Sequence, residues 1–454
     1  MNNLLKAMGF WIWGLIAIGL SVSMVSVSFK LLSIYREHGT SAARSDNSVY
    51  STTETAAPTA ATGSTTSLAT SSVIAGEMTS AQNAMQAARW DEALTQLQAA
   101  KSKSPLTAVD KKTIYDWMGA VYLRQKNFQA AQSAYEAALA SGQYHAEELV
   151  KIFRLLFQLA AINQQNSKAI EYGKSATEAS TATPNDFLLM AQLYYLQKDC
   201  KDSSIWADKA VAAYRKANEA PKEVLYQFKL QCASDAGDTE AMRVALADLI
   251  RLTNKTSYWN NLLRLERQDE RDDHNTLMIY RVMFDTHSMN ADTDYIEMAQ
   301  LLGDTGLPGE AQTVLESAIG SGILKDEHKE RTTRLLSALK TRADADKKGL
   351  PALDAEATKN PAGQLDMKLG EIYFGAGDYQ NAVTALSRGI AKGQLLQADE
   401  AYVSLGRSLT AERDPGGAKQ ALAKLKSLPS ISPRVLKLWN LYADMLPDTG
   451  SEPL

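Results

Sequence analysis

Five histidines, two cysteines and one glycine-rich turn are the residues here whose types could do chemistry, and their spacing argues against most of it. His38, His145, His274, His287 and His328 are scattered. None falls in HExxH or another metal-ligand spacing, so we read each as a surface histidine. Gly303, Gly306 and Gly309 in GDTGLPG imitate a phosphate-binding fingerprint, yet no strand precedes them and the run sits at a helical turn. No GxSxG, P-loop or paired CxxC occurs. Catalytic, cofactor-binding and metal-binding residues are thus expected to be none, and the chain is expected not to be an enzyme. Cys200 and Cys232 are too few for a disulfide scaffold or a four-cysteine zinc site. We read them as two buried thiols, with a bridge as the alternative if the chain lies in an oxidising periplasm. ERQDERDDHN, Glu266 to Asn275, lies between two apolar helices and reads as a solvated turn.

A chain of 454 residues, 45% apolar and 22% charged, can bury a large core, but its net charge of -4 sets up no field that would imply nucleic acid or an acidic lipid surface. No small-molecule substrate is indicated either. The elements must therefore explain themselves by packing. LDMKLGEIYFGAGDYQNAVTALSRGIAKG, from Leu365 to Gly393, holds one helix-turn-helix unit. Leu369 and Tyr373 share a face, Gly370 lets a second helix approach, and Gly377 and Asp378 end one helix and open the next. Ala382, Leu386, Gly389 and Ile390 then recur at helical spacing. Neither helix buries its stripe alone, so a unit of roughly 34 residues that needs neighbours implies a stacked repeat.

The same spacing returns along the chain. YDWMGAVYLRQKNFQAAQSAYEAALASG places Gly119, Tyr122, Phe128, Ala131, Tyr135, Ala138 and Leu139 in equivalent roles. A degenerate first unit keeps Trp90, Ala93, Leu97 and Ala100 before Pro105. Later copies keep Ala299, Gly306, Ala311 and Ala318, then Gly406, Ala418 and Leu425. The stretches 149–176, 224–252, 258–283 and 327–358 keep the helical period but lose most markers, giving about ten helical pairs in all. Ser432 as N-cap and Pro433 at the first helical position start an amphipathic helix suited to cover the last apolar face.

These residues resemble the tetratricopeptide repeat, with Leu369, Gly370, Tyr373, Gly377, Tyr379 and Ala382 matching its pattern. The resemblance implies an all-α, right-handed superhelical solenoid over 73–446. With YWNNLLRLE and YIEMAQLLGDTGLPGEAQTVLESAIGSGIL, the match over 78–446 is also similar to a bacterial envelope family. That family comprises tetratricopeptide components associated with TonB/ExbB/ExbD-type energy-transducing systems. In such an array the first helices line a concave groove for a peptide. The groove candidates that follow from the resemblance are Asp116, Arg124, Arg154, Gln158, Gln192, Tyr195, Gln300, Glu371, Phe374 and Arg407. Polar and cationic groups with two aromatics suit a partner segment carrying both charge and apolar anchors.

Ahead of the array, after a short segment 1–9, FWIWGLIAIGLSVSMVSVSF over 10–29 is an uncharged run long enough to cross a bilayer once. Cleavage after Ser26-Val27-Ser28 is the alternative. Residues 30–72 continue as a Ser/Thr/Ala-rich tether, and 447–454 form a tail. Lys30, Arg36 and Arg44 alone would hold the following chain in the cytoplasm. The envelope resemblance instead implies an inner-membrane, single-pass protein with a periplasmic repeat domain. We therefore expect a non-enzymatic scaffold for protein or peptide partners, serving as an accessory of a TonB-type system. An assembly accessory of a secretion, pilus or polysaccharide-export machine is the alternative, and an enzyme with a cryptic site a remoter one.

Overall fold

The structure, a computed structural model, describes residues 70–428 and 431–447. The anchor expected over 10–29, His38, and nearly all of the tether and tail lie outside the described residues. Every regular element among the described residues is helical, and no helix there is long and apolar enough to cross a membrane. The helices sort into two compact units, divided between Ala236 and Gly237.

In the first unit, α1 (Ala75–Gln86) pairs with α2 (Trp90–Lys101), α3 (Ala108–Arg124) with α4 (Phe128–Leu139), α5 (Ala146–Ile162) with α6 (Asn166–Glu178), and α7 (Pro184–Leu196) with α8 (Cys200–Lys216); α9 (Glu223–Ala236) follows. Capping fixes the starts. Thr107 and Asp110 form a reciprocal capping box on α3, and Thr183 with Asp186 repeats it on α7 behind Pro184. Ser71, which the sequence assigned to the tether, binds Asp110 through its backbone and its hydroxyl and so belongs with the first unit.

The second unit holds α10 (Thr239–Thr253), α11 (Thr256–Asp269), α12 (Asp273–Asp285), α13 (Asp292–Asp304), α14 (Pro308–Gly320), α15 (Asp326–Lys359), α16 (Gln364–Gly375), α17 (Tyr379–Lys392), α18 (Ala398–Ala411), α19 (Pro415–Ala423) and α20 (Pro433–Met445). A short 3-10 turn, Lys424–Ser427, follows α19. The 327–358 stretch, expected as a helix pair, is instead part of the single 34-residue α15, which runs through Pro351. Its Ala, Leu, Lys and Arg residues favour helix, and it has none of the left-handed residues that turn the other hairpins. Ser432 caps α20 through Val435, as its sequence implies. Beyond covering α19, α20 packs on α12 and α10, so the end of this unit meets its own beginning.

Packing within hairpins explains the marker residues. A methyl group on Gly119 would stand 2.6 Å from the Tyr135 ring, and one on Gly406 would stand 2.8 Å from Leu422. Gly370 meets Leu386 in the same way and at the same sequence offset. Most hairpin turns use one left-handed residue just before the second helix's N-cap, as at Lys126, Lys198, Gly306, Gly377 and Arg413. The hairpins and their glycine-mediated packing are those of an all-helical, hairpin-based repeat.

One cysteine expectation is corrected. Cys200 and Cys232 are joined by a disulfide, with Cα atoms 5.4 Å apart. Cys200 opens α8 and Cys232 lies in α9, which pack together, so the bridge staples two neighbouring helices of the first unit. Sequence spacing alone could not show that the two helices face each other.

Candidate functional site

Glu310 is placed by its own turn. Gly306, at φ +78°, turns the chain, and Pro308 starts α14 so that Glu310 falls in its first turn. Gly309 then lies against Gly375 at the end of α16, where a methyl on Gly375 would stand 2.7 Å from the Glu310 backbone nitrogen. This backbone-to-backbone approach tolerates no side chain. It brings Glu310 beside Glu371 and Phe374 of α16.

Two arginines meet this carboxylate inside the unit. Arg281 of α12 is fully buried and donates to Glu310 at 3.1 Å, while its other terminal nitrogen lies 3.8 Å from Glu400 of α18. Arg407 of α18, 5% exposed, also donates to Glu310 and grips Asp285 of α12 with two bonds, at 2.8 and 3.0 Å. Its guanidinium lies 4.7 Å from the Phe374 ring centre. Burial alone would raise the Glu310 carboxyl, but the charges of Arg281 and Arg407 outweigh it and hold the group at about 2. At the rim of the network His274 binds Asp399 at 2.8 Å and Glu400 at 3.3 Å, and these hydrogen bonds raise it to about 9.

Glu371 differs from its neighbours. Its Oε1 is buried and has no hydrogen-bond partner. Burial first, then the charges of Glu400 and Glu310, push its carboxyl up to about 8, against the opposing charges of Arg281 and Lys368. It is therefore largely protonated at neutral pH. Beside it opens a cavity of 570 Å³ within the second unit, walled by Glu310, Glu371, Phe374, Arg407, Tyr442 and residues of α15. That is within the roughly 300–1,000 Å³ of ligand pockets.

Three of the ten groove candidates, Glu371, Phe374 and Arg407, thus line one cavity. Arg407 is not the open groove residue expected, because it is buried and paired with Asp285 and Glu310. Gln192, 4% exposed, is likewise buried rather than outward-facing, since α7 is covered by both α8 and α9. In the first unit Asp116 accepts from the Tyr144 hydroxyl, Arg154 forms an ion pair with Asp186 at 3.1 Å, and Tyr195 stacks on Phe228 at 4.6 Å. Arg124 is exposed and lies 6.0 Å from the Trp90 ring; Gln158 and Gln300 are half-buried.

Sequence reasoning missed Arg281, Asp285, Glu310, His274, Asp399 and Glu400. The signal that could have found Arg281 is a lone charge inside the apolar run TLMIYRVMF. The surface-histidine assignment is corrected for two residues: His274 enters the network, and His328 binds the buried Asp292 at 2.7 Å. His145 and His287 are exposed. The 266–275 charge run is a turn only at its middle. Glu266 is 5% exposed within α11 and pairs with Arg243 at 3.1 Å.

No family model matches the chain, and no curated protein matches its sequence. Among solved structures it is similar to a Naa15/Naa10 assembly bound to HypK-THB, at 16% identity and a TM-score of 0.38 over 80% of this chain. There the chain spans only 60% of the matched length. It is also similar to a tetratricopeptide repeat protein from Parabacteroides merdae, at 12% identity and a TM-score of 0.27, covering 82% of this chain and 99% of that one. The C-terminal part of a repeat-containing protein from Cytophaga hutchinsonii gives 12% and 0.28, covering 79% and 97%.

Proposed function

We propose that this chain is a non-enzymatic, membrane-tethered scaffold whose second unit receives a segment of a partner protein in the cavity beside Glu371. The observation that carries the proposal is the convergence of Glu371, Phe374 and Arg407, from two different hairpins, on one wall. Glu371 and Phe374 are not marker positions of the repeat, while Arg407 holds the wall together through Asp285 and Glu310. Recognition is free to use Glu371 and Phe374.

The tether rests on the apolar run 10–29. The Cys200–Cys232 bridge supports an oxidising compartment, which in a bacterial envelope is the periplasm. Components of a TonB/ExbB/ExbD-type system are the partners that the family resemblance suggests. A photo-crosslinking residue at position 374 of the full chain, in native membranes, tests the receptor reading. A discrete adduct at 374 that is missing from exposed Val244 supports it, and identical patterns at the two positions refute it. Recovery of secretion or pilus components in that adduct would replace the TonB-type assignment. An alkaline phosphatase fusion at Ser72 that stayed inactive would refute the periplasmic placement.

A further inference from the structure

Charge in the cavity wall is unbalanced. Asp285, Glu310, Glu316, Asp344 and Asp346, with Glu371 as a carboxylic acid beside them, face only two formal cations there, Lys347 and Arg407. Arg407 is already paired with two carboxylates of the same wall, Asp285 and Glu310, through Nε, Nη1 and Nη2, so its charge is met before any guest arrives. Glu310 is further engaged by Arg281. What remains is acidic. No group of three or more side chains among the described residues is arranged to hold a metal ion, so the excess acid does not amount to a metal cage.

The second, independent observation is Glu371 Oε1, a buried carboxyl oxygen with no hydrogen-bond partner. Leaving such an oxygen unpaired is unfavourable, and a donor that the Glu371 side chain turns to meet in the cavity it lines relieves it. Beside it the wall presents Phe284, Phe374, Tyr379 and Tyr442. Phe374 and Tyr379 meet edge to face, with ring centres 5.5 Å apart. Aromatic faces favour a cation and accept the alkyl stem that carries it. An isolated acidic wall would suit any small cation; aromatics around an unmet carboxyl oxygen select one on a long apolar stem.

We infer that the cavity is a receptor for a lysine or arginine side chain of a partner segment, with Glu371 accepting from the cation and the aromatic rings flanking its stem. This rests on the receptor function proposed above and names its ligand chemistry. Entry of the cation favours the ionised carboxylate, so capture releases a proton from Glu371.

The test is to pan the full chain, in detergent micelles, against a phage-displayed library of short random peptides. The expected result is a set of peptides sharing one lysine or arginine position. Synthetic copies with norleucine there should bind on the order of tenfold more weakly, equivalent to 1.4 kcal/mol. Glu371→Gln, which keeps the volume, should lose that preference while retaining the residual binding. Should Glu371→Gln fail to fold, the lysine-against-norleucine comparison on the unaltered chain still decides. Peptides blocked by Phe374→Ala but sharing no cation, or equal binding of the lysine and norleucine copies, would overturn the cation inference and leave the receptor reading standing. Recovery of no peptide sensitive to Phe374→Ala would overturn both.

Discussion

The two units answer the same packing problem differently. In the first, the polar contacts join adjacent hairpins: Arg154 to Asp186, Lys168 to Glu136, Gln132 to Gln165. In the second, they also tie the last helices to the first ones, through Arg407 to Asp285, His274 to Asp399 and Arg434 to Asp269. A stack that bonds only to its neighbours buries polar groups singly between hairpins, as at Gln132 and Asp186. A unit that returns on itself gathers several charges into one buried network, and this changes their chemistry, as at Glu310, Glu371 and His274. One repeat pattern thus yields a plain staircase in one region and a built, charged interior in the other.

That contrast makes separable predictions, readable by fluorotryptophan NMR because Trp90, Trp117 and Trp206 report on the first unit and Trp259 and Trp439 on the second. Arg407→Met leaves Asp285 and Glu310 short of a buried partner and should destabilise the second unit by about 3–5 kcal/mol. The Trp259 and Trp439 signals should then be lost at lower urea, with the first-unit signals unmoved. Reducing the Cys200–Cys232 bridge should do the reverse. It frees a loop with a sequence separation of 32 and should cost the first unit about 2–4 kcal/mol, seen as an earlier loss of the Trp206 signal with Trp259 and Trp439 unchanged.

The pH response should divide the units as well. His274 is raised in the folded chain to about 9, so its contribution is complete below the unfolded histidine range near 6.5 and disappears as pH rises to 9. Glu371 is raised to about 8, so the folded state holds its proton more tightly than the unfolded one, and stability falls from about pH 4.5 to 8. Both act in the same direction between about pH 6.5 and 8, at up to about 1.4 kcal/mol per pH unit for each group. Glu310, held at about 2, acts the other way and withdraws its contribution only as pH falls from about 4.5 to 2. Urea midpoints for the second unit should fall on going from pH 6.5 to 9, and Glu371→Gln should flatten that fall. The smallest expected effect is at a turn. Lys126 is left-handed at φ +59°, and Lys126→Gly should gain up to about 1 kcal/mol in the first unit, measured as a higher urea midpoint.

Much of the fold was legible because its determinants are local. Gly377 and Asp378 announce the turn between α16 and α17, Ser432 and Pro433 announce α20, and Gly119 and Gly406 mark where helices touch. The site was legible only in part. Glu371 and Phe374, which the repeat pattern leaves free, do line the cavity, whereas Arg407 proved buried rather than open. Its partners Glu310 and Asp285 lie 97 and 122 positions away, so no periodicity in the chain connects them. The disulfide escaped for a related reason, since which faces of α8 and α9 meet is a tertiary fact. An Arg inside TLMIYRVMF was the one visible hint that the interior of the second unit would be charged.

The most direct test of this account is the titration of Glu371 itself, followed by the carboxyl carbon signal of labelled glutamate in the full chain and assigned by its loss in Glu371→Gln. A closed, charged interior predicts a midpoint near the raised value of about 8. A midpoint near the ordinary glutamate range of about 4.3 would mean that water reaches the carboxyl freely, and would contradict it.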